Sequence, residues 1–239
     1  MIIAIDGTSG SGKSTIARRL AAQLNFGFFS AGELYRAVTV KVLEFGINEN
    51  DDAELKSLID STIINYYYNG TKNVMLVDNI DVTDKLHTEE VSNFVSKISQ
   101  KLFIREFVRK LQKQTANDNE NIVMEGRDIG SVIFPNADIK IFVDCKIEIR
   151  AQRRLIDYKN IGENVSLQKV INDLKDRDYR DIHRDVSPLV MSADSLLIDT
   201  TFNNVETSLD LIYKEMLRRG LIDNEFLKAR GIKLINIQK

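Results

Sequence analysis

The chain has 239 residues, with 33 lysines and arginines against 35 aspartates and glutamates and a net charge of −2. That length accommodates one α/β domain with a smaller embedded region and a sizeable core. The near balance of charge excludes bulk attraction to nucleic acid or to a membrane surface, and the single cysteine, Cys145, excludes an intrachain disulfide.

The first run, Ile2-Ile3-Ala4-Ile5-Asp6, reads as a buried strand. It leads into Gly7-Thr8-Ser9-Gly10-Ser11-Gly12-Lys13-Ser14-Thr15, whose spacing from Gly7 to Gly12-Lys13-Ser14 fits the phosphate-binding pattern G-x-x-x-x-G-K-[ST]. Glycines let the backbone turn sharply and bring its N–H groups close to phosphate oxygens. The following helix aims its partly positive N-terminus at the same anion. Lys13 then reaches the outer phosphates, and the Ser14 hydroxyl is placed for Mg²⁺. A bare match is compatible with a turn that binds nothing. Here the apolar strand before it and the helical stripe Ile16, Ala17, Leu20, Ala21 and Leu24 after it supply the required context. The apolar run at the start is too short to span a bilayer. One cysteine and no signal peptide fit a reducing cytoplasm, with Cys145 a small packing residue.

Phe26 to Phe29 reads as a second strand ending at Ser30-Ala31-Gly32, and Leu34, Val38, Val42 and Phe45 give the stripe of a helix stopped by Gly46. Arg36 lies off that stripe, as either a solvated charge or an anion ligand at a strand's carboxyl end. A short polar helix spans about Asp51 to Ser61. The runs Ile63 to Tyr68, Val74 to Val77 and Ile80 to Val82, separated by the turn signals Asn69-Gly70 and Asp78-Asn79, read as an antiparallel meander inserted on the substrate side. Thr88 or a neighbour caps a helix with Glu89 and Glu90 in its first turn, and a further helix, about Phe103 to Gln114, carries Arg105.

After a polar loop at 117–121, the buried strand Ile122-Val123-Met124 ends in Glu125-Gly126-Arg127-Asp128-Ile129-Gly130. An acid there sits where the Mg²⁺–water shell needs negative charge. A strand from Ile139 to Val143 precedes a basic helix containing Arg150, Arg153 and Arg154, then a loop around Gly162-Glu163-Asn164. The next helix, about Ser166 to Arg184, places Arg177, Arg180 and Arg184 on one face, with Asp181 four residues after Arg177. The ordinary reading is a surface ion pair contributing about 0.3–0.5 kcal/mol. The functional one is a phosphate clamp, since three arginines on one face repel unless an anion lies among them. Pro188 stops further helix. Ser195 to Ile198 is a last core strand and Glu206 to Arg218 a last long helix, and the tail from Gly220 carries no readable motif.

Taken together these motifs resemble the bacterial cytidylate kinase family. The resemblance runs to about Arg218 and rests on Ile5-Asp6-Gly7 into the P-loop, Gly32 through Tyr35-Arg36, Gly126 to Gly130 with Val132-Ile133-Phe134-Pro135, Arg150 to Arg154, and Arg177-Asp178 through Asp181, Arg184 and Ser187-Pro188-Leu189. It implies a P-loop NTPase-type three-layer α/β/α fold with a five-stranded parallel sheet, a small β-rich NMP-binding insertion and a short lid. The core would take about 1–60, 117–150 and 185–219, the NMP-binding region about 61–116 and the lid about 151–165, with a tail at 220–239. The implied activity is Mg²⁺-dependent transfer of the γ-phosphoryl group of ATP to CMP or dCMP by a cytoplasmic monomer that uses neither nucleic acid nor membrane.

Residue by residue, the resemblance gives Gly7 to Thr15 the ATP phosphates, with Ser14 and Glu125 on Mg²⁺ and Arg154 on the ATP side. Arg36, with the Ser30 hydroxyl, takes the acceptor phosphate, and Ser96, Arg105 and Asp128 the cytosine. Asp181 takes the sugar hydroxyls, Arg177 the phosphates, and Arg184 base and phosphate. Lys13, Arg127, Asp128, Arg153 and Arg177 surround the transferred group. The chain departs from the family pattern at three places. Ser30-Ala31-Gly32 stands where Asp-Thr-Gly or Asp-Ser-Gly is usual, Glu125 where an aspartate is usual, and Thr8 where proline is common. The Ser30-Ala31 departure keeps a second expectation open, a related P-loop kinase acting on UMP or a non-nucleotide acceptor. A weakly active nucleotide-binding regulator is a third. A GTPase switch is excluded, because neither Asn-Lys-x-Asp nor Asp-x-x-Gly occurs in the chain.

Overall fold

The structure, a computed structural model, describes residues 1–68, 73–160 and 162–235. Its elements in chain order are β1 (Ile2–Gly7), α1 (Lys13–Leu24), β2 (Gly27–Ser30), α2 (Ala31–Glu44), α3 (Asp52–Asp60), β3 (Ile64–Tyr68), β4 (Asn73–Val77), β5 (Ile80–Asp81), α4 (Glu89–Ile98), α5 (Leu102–Asn117), β6 (Ile122–Glu125), β7 (Ile139–Asp144), α6 (Ile147–Asn160), α7 (Leu167–His183), β8 (Leu196–Asp199), α8 (Val205–Arg218) and α9 (Asn224–Ala229). They fall into two compact units. One holds Met1–Phe29 with the chain from Asn119 onward, the other Ser30–Asp118.

The first unit is organised by a five-stranded parallel sheet of order β2-β6-β1-β7-β8. β1 lies at its centre, so Ile3, Ala4 and Ile5 are fully buried, as an unbroken apolar run in a parallel sheet should be. Ile3 and Ile5 join one core with Ile16, Leu20 and Leu24 of α1 and Ile212, Tyr213 and Met216 of α8. Ala4 faces Gly130, where an added Cβ would stand 3.4 Å from the Ala4 Cβ and 3.1 Å from Lys140 Cγ. β1 is flanked by β6 and β7, which brings the loop after it to the topological switch point where ligands gather in open α/β sheets. α1 ends at Asn25, left-handed at φ 56, with the Phe26 N–H closing back on the Ala21 carbonyl.

The tail, unreadable in sequence, adds α9 to this core. Asp223 caps it by accepting the Phe226 N–H, Ile222 and Leu227 are buried in the core, and Arg230 Nε donates to the Leu24 carbonyl at 3.0 Å. Residues 236–239 lie outside the described residues.

The second unit carries the expected meander, an antiparallel sheet of order β3-β4-β5 with Ile64 opposite Val77 and Leu76 opposite Asp81. Asp78 and Asn79 have φ of 49° and 68°, the paired positive values of a tight hairpin turn. Asp78 also accepts from Ile63 N–H and from Lys41 Nζ. The Asn69-Gly70 turn lies outside the described residues. Thr88 caps α4 by accepting the Val91 N–H. The compact unit runs from Ser30 because α2 packs against α4, α5 and β4.

Phe45 corrects the apolar stripe assigned to α2. It is 66% exposed. α2 stops at Glu44, Gly46 turns the chain at φ 65, and the Ile47 N–H returns to the Val42 carbonyl, so Ile47 is buried in place of Phe45. The Lys41 ammonium lies 5.7 Å from the Phe45 ring centroid.

Leu227→Ala should destabilise the protein by about 2–5 kcal/mol in urea denaturation, the cost of removing a buried leucine side chain from a packed core. A change within about 0.5 kcal/mol, the range of exposed sites, would show that the tail does not belong to the folding unit.

Candidate active site

The site in the first unit begins where β1 turns. At Gly7 an added Cβ would stand 2.0 Å from the Val143 carbonyl oxygen, so β7 leaves room for glycine alone. Gly10 and Gly12 have φ of 75° and 86°, left-handed values that side chains rarely adopt. Between them the Ser11 N–H and hydroxyl both reach back to the Thr8 carbonyl, and the Thr8 hydroxyl donates to Asp144 Oδ1 at 2.8 Å. The Thr200 hydroxyl donates to the Ser11 carbonyl at 2.7 Å. Arg153 grips Thr200 in turn, Nη1 on the hydroxyl at 3.1 Å and Nη2 on the carbonyl at 2.8 Å. Its guanidinium lies 3.8 Å from the point where a Cβ on Gly12 would stand.

α1 starts directly from this loop. No side chain caps it and its first turn holds no acid, which leaves the arrangement suited to an external anion. Lys13 is buried, with Nζ 3.8 Å from Glu125 Oε2. Burial, then the charge of Arg127, pushes its ammonium down to about 7, against the pull of Glu125. A phosphate at this point would supply the negative charge that restores the proton. Ser14 is half-buried and Thr15 exposed in the same turn. Among the described residues no three His, Cys, Asp or Glu side chains converge as a metal cage. One hydroxyl and one carboxylate, from Ser14 and Glu125, match the sparse protein ligation that Mg²⁺ takes when phosphates and water complete its shell.

Asp6 lies behind the loop. Its two carboxylate oxygens accept the N–H groups of Ile129 at 2.8 Å and Gly130 at 2.7 Å, holding the π-type turn Ile129–Ile133 that follows Arg127-Asp128. Burial raises its pKa to about 6, outweighing those two N–H donors, and the neighbouring Asp128 charge adds to the rise.

Arg127, Asp128, Asp181 and Arg184 form one network of alternating charge. Arg127 Nε donates to Asp181 Oδ2 at 2.9 Å, while Arg184 lies 3.8 Å from Asp181 Oδ1 and 3.9 Å from Asp128 Oδ2. Burial alone would raise the Asp181 pKa, but the charges of Arg127, Arg177 and Arg184 hold it below the usual carboxylate range. The same pairing raises Arg127 against its own burial. Arg184 stands where α7 gives way to extended backbone, and its Nε donates to the Ser187 carbonyl at 2.6 Å. Arg177 acts electrostatically on both Lys13 and Asp181. Arg180 is not part of this group: it is exposed, and its Nε returns to the Asp176 carbonyl. The three-arginine face therefore reduces to Arg177 and Arg184. Arg154 is also exposed, 5.1 Å from the Tyr158 ring centroid and 3.9 Å from Asp157.

The second unit holds the other candidates. Ser30 caps α2 by accepting the Glu33 N–H. Arg36 donates from Nη1 to the Leu86 carbonyl and to Ser92 Oγ, both at 2.9 Å. Ser96 lies one turn beyond Ser92 on the same face of α4. Arg105 is buried on α5, donates to the Ser99 carbonyl at 3.0 Å and stands 5.6 Å from the Tyr35 ring centroid.

Asp6, Asp144, Arg150, Asp178 and Thr200 were missed as site residues. The contacts by which they hold the loop and the turn at Ile129-Gly130 each span more than a hundred residues of sequence, so no local spacing reports them.

A parallel sheet with a glycine loop and a buried lysine at its switch point defines a P-loop α/β protein that binds phosphates. The cytidylate kinase family profile matches residues 3–218. Cytidylate kinase from Desulforamulus reducens is 42% identical over 199 residues, 83% of this chain and 89% of that protein. The enzyme of the same name from Desulfitobacterium hafniense is 40% identical over 210 residues, 88% and 90% of the two chains. That from Halalkalibacterium halodurans is 40% identical over 201 residues, 84% and 90%. The chain belongs to the cytidylate kinase family.

Two outcomes are expected. Gly7→Ala should lower stability by about 1–3 kcal/mol or more, because the methyl group meets fixed backbone; unchanged urea midpoints would contradict the close approach. Asp6, raised to about 6 in the folded state, binds more protons there than in the unfolded chain between about pH 4 and 6. Its contribution to stability is therefore fully present below about pH 4 and is lost as pH rises through 6. The stability difference between wild type and Asp6→Asn should shrink from pH 4.5 to pH 7. A difference independent of pH would refute the shift.

Proposed function

We propose that this protein transfers the γ-phosphoryl group of ATP to CMP or dCMP, giving CDP or dCDP and ADP. The observation that carries the reading is the Gly7–Thr15 loop with its buried Lys13, set in the same unit as the Arg127–Asp181–Arg184–Asp128 network, in a chain of the cytidylate kinase family. The loop amides, Lys13, Ser14 and Thr15 hold the ATP phosphates, and Ser14 with Glu125 serves Mg²⁺. Bound Mg²⁺ supplies neutralising charge on the phosphates.

The chain's own part is positioning and charge stabilisation. No general base is needed, because the attacking phosphate oxygen is already anionic. Lys13, Arg127, Arg153 and Arg177 offset repulsion between two polyanions, and arginine suits this because its planar fork meets phosphate bidentately. Asp181 is assigned the sugar hydroxyls, Arg184 base and phosphate, Arg36 with Ser30 the acceptor phosphate, and Ser96, Arg105 and Asp128 the cytosine. A wrong base is rejected by leaving such buried polar groups unpaired. Residues 61–116 are assigned to the acceptor and 151–165, with Arg153 and Arg154, to a lid that excludes water.

Among the described residues no helix is long and apolar enough to cross a membrane, and Cys145 is buried and free. We assign the protein as a cytoplasmic monomer acting on small nucleotides rather than on nucleic acid.

The test is ADP release with Mg-ATP against CMP, dCMP, UMP, AMP, GMP and no acceptor. Turnover confined to CMP and dCMP, at least tenfold above the others, is expected. Absence of turnover with either cytidine nucleotide would overturn the reading and direct attention to Ser30-Ala31.

A further inference from the structure

Two buried charges outside the assigned site hold the P-loop from behind. Arg150, on α6, and Asp178, on α7, are joined at 2.6 Å with side chains 6% and 13% exposed. Together they take both ends of one residue. Arg150 Nη1 donates to the Ser9 carbonyl at 2.8 Å, and Asp178 Oδ1 accepts the Ser9 N–H at 3.3 Å. Arg150 Nε is fixed in turn on the Cys145 carbonyl at 2.9 Å, at the end of β7. The Arg150 Cβ and Leu174 Cδ2 also lie 3.6 and 3.9 Å from where a Cβ on Gly10 would stand, so they form a floor beneath the loop.

We infer that Arg150 and Asp178 are positioning residues that set the P-loop against α7, and so fix donor-side and acceptor-side groups in one frame. The argument is geometric. Arg150 and Asp178 bond to the Ser9 backbone, to the Cys145 carbonyl and to each other, so their hold on the loop runs through Ser9. Asp178 follows Arg177 directly and precedes by one turn Asp181, which holds Arg127 and Arg184. A helix pinned at Asp178 cannot slide or rotate relative to Ser9 without breaking a buried ion pair, so the clamp also places Arg177 and Asp181. An apolar contact would exclude water there without specifying register, whereas a guanidinium on the carbonyl and a carboxylate on the N–H of one residue specify it. The inference rests on the proposed reading of Gly7–Thr15 as the ATP site.

The test uses the full chain carrying Asp178→Asn, which keeps the shape of the side chain and removes its charge, and Arg150→Lys, which keeps charge and removes the fork. ATP affinity is measured by calorimetry without an acceptor, kcat and KM with CMP, and folding by thermal unfolding. Each variant should bind ATP about tenfold more weakly and lose about 10- to 100-fold in kcat, the scale of a misplacement near 1 Å. The double variant should be no worse than about threefold beyond the weaker single one, since the two residues act as one unit. Wild-type ATP affinity and kcat in a folded Asp178→Asn protein overturn the inference, even with a lowered melting temperature, because that pattern marks a purely structural pair. Losses that multiply in the double variant also overturn it. If Asp178→Asn does not fold, Arg150→Lys decides by the same criteria. If the wild type binds ATP but leaves CMP untouched, the acceptor reading fails and the ATP-binding arm still decides the clamp.

Discussion

Charge taken out of water must meet opposite charge, and the functional end of the first unit is built on that constraint. Lys13 meets Glu125, Arg150 meets Asp178, and Arg127 and Arg184 share Asp181, with Asp128 beyond. Asp6 meets two peptide N–H groups. These pairs differ in kind from a surface pair such as Lys85–Glu44, both roughly half exposed, of the sort that contributes about 0–1 kcal/mol. Removing one partner from a buried pair typically costs about 3–5 kcal/mol, because the survivor is left unpaired. The buried charges therefore do not chiefly add stability. They penalise any arrangement that separates them, which suits a site whose chemistry depends on placement.

Much of the architecture was legible because its signals are local. The apolar run of β1, the stripe of α1, the Thr88 cap and the Asp78-Asn79 turn each lie within a few residues of what they determine. The P-loop was legible for the same reason. Its supports were not. Ser9, Thr8, Ser11 and Asp6 are held by Asp178, Asp144, Thr200 and the turn at Ile129-Gly130, each on a different later segment. A parallel sheet brings those segments together by crossover connections, so sequence separation exceeds a hundred residues and spacing carries no trace of the contact.

Helical periodicity is a coarse guide near a helix end. Counting i, i+3 and i+7 puts Arg177, Arg180 and Arg184 on one face of an unbroken α7, yet Arg180, inside the helix, is exposed, and Arg184 reaches the network from beyond the helix end. The helix ends at His183, and extended backbone at Arg184 swings that side chain to Asp128 and the Ser187 carbonyl. Phe45 failed the same way beyond the last turn of α2. Part of the charge balance among the arginines lies in the protein itself. Asp181, on the same helix, takes up the charge that had been assigned to a phosphate alone.

That internal pairing changes the energetics of the proposed reaction. An arginine waiting in water would gain little from phosphate after losing its hydration. One already desolvated and paired, as Arg127 is with Asp181, has met that cost during folding. A phosphate reaching it adds an acceptor to a fork that is already oriented, and the net gain is the difference between phosphate and carboxylate as partners rather than a full Coulomb term. Such a difference favours the species with the most negative charge on the least fixed oxygens. In phosphoryl transfer that is the group in flight between donor and acceptor, not either nucleotide at rest. On the proposed reading, the carboxylates that keep the arginines in place would also temper ground-state binding and leave the preference for the transition state to the geometry in which Lys13, Arg127 and Arg177 are held.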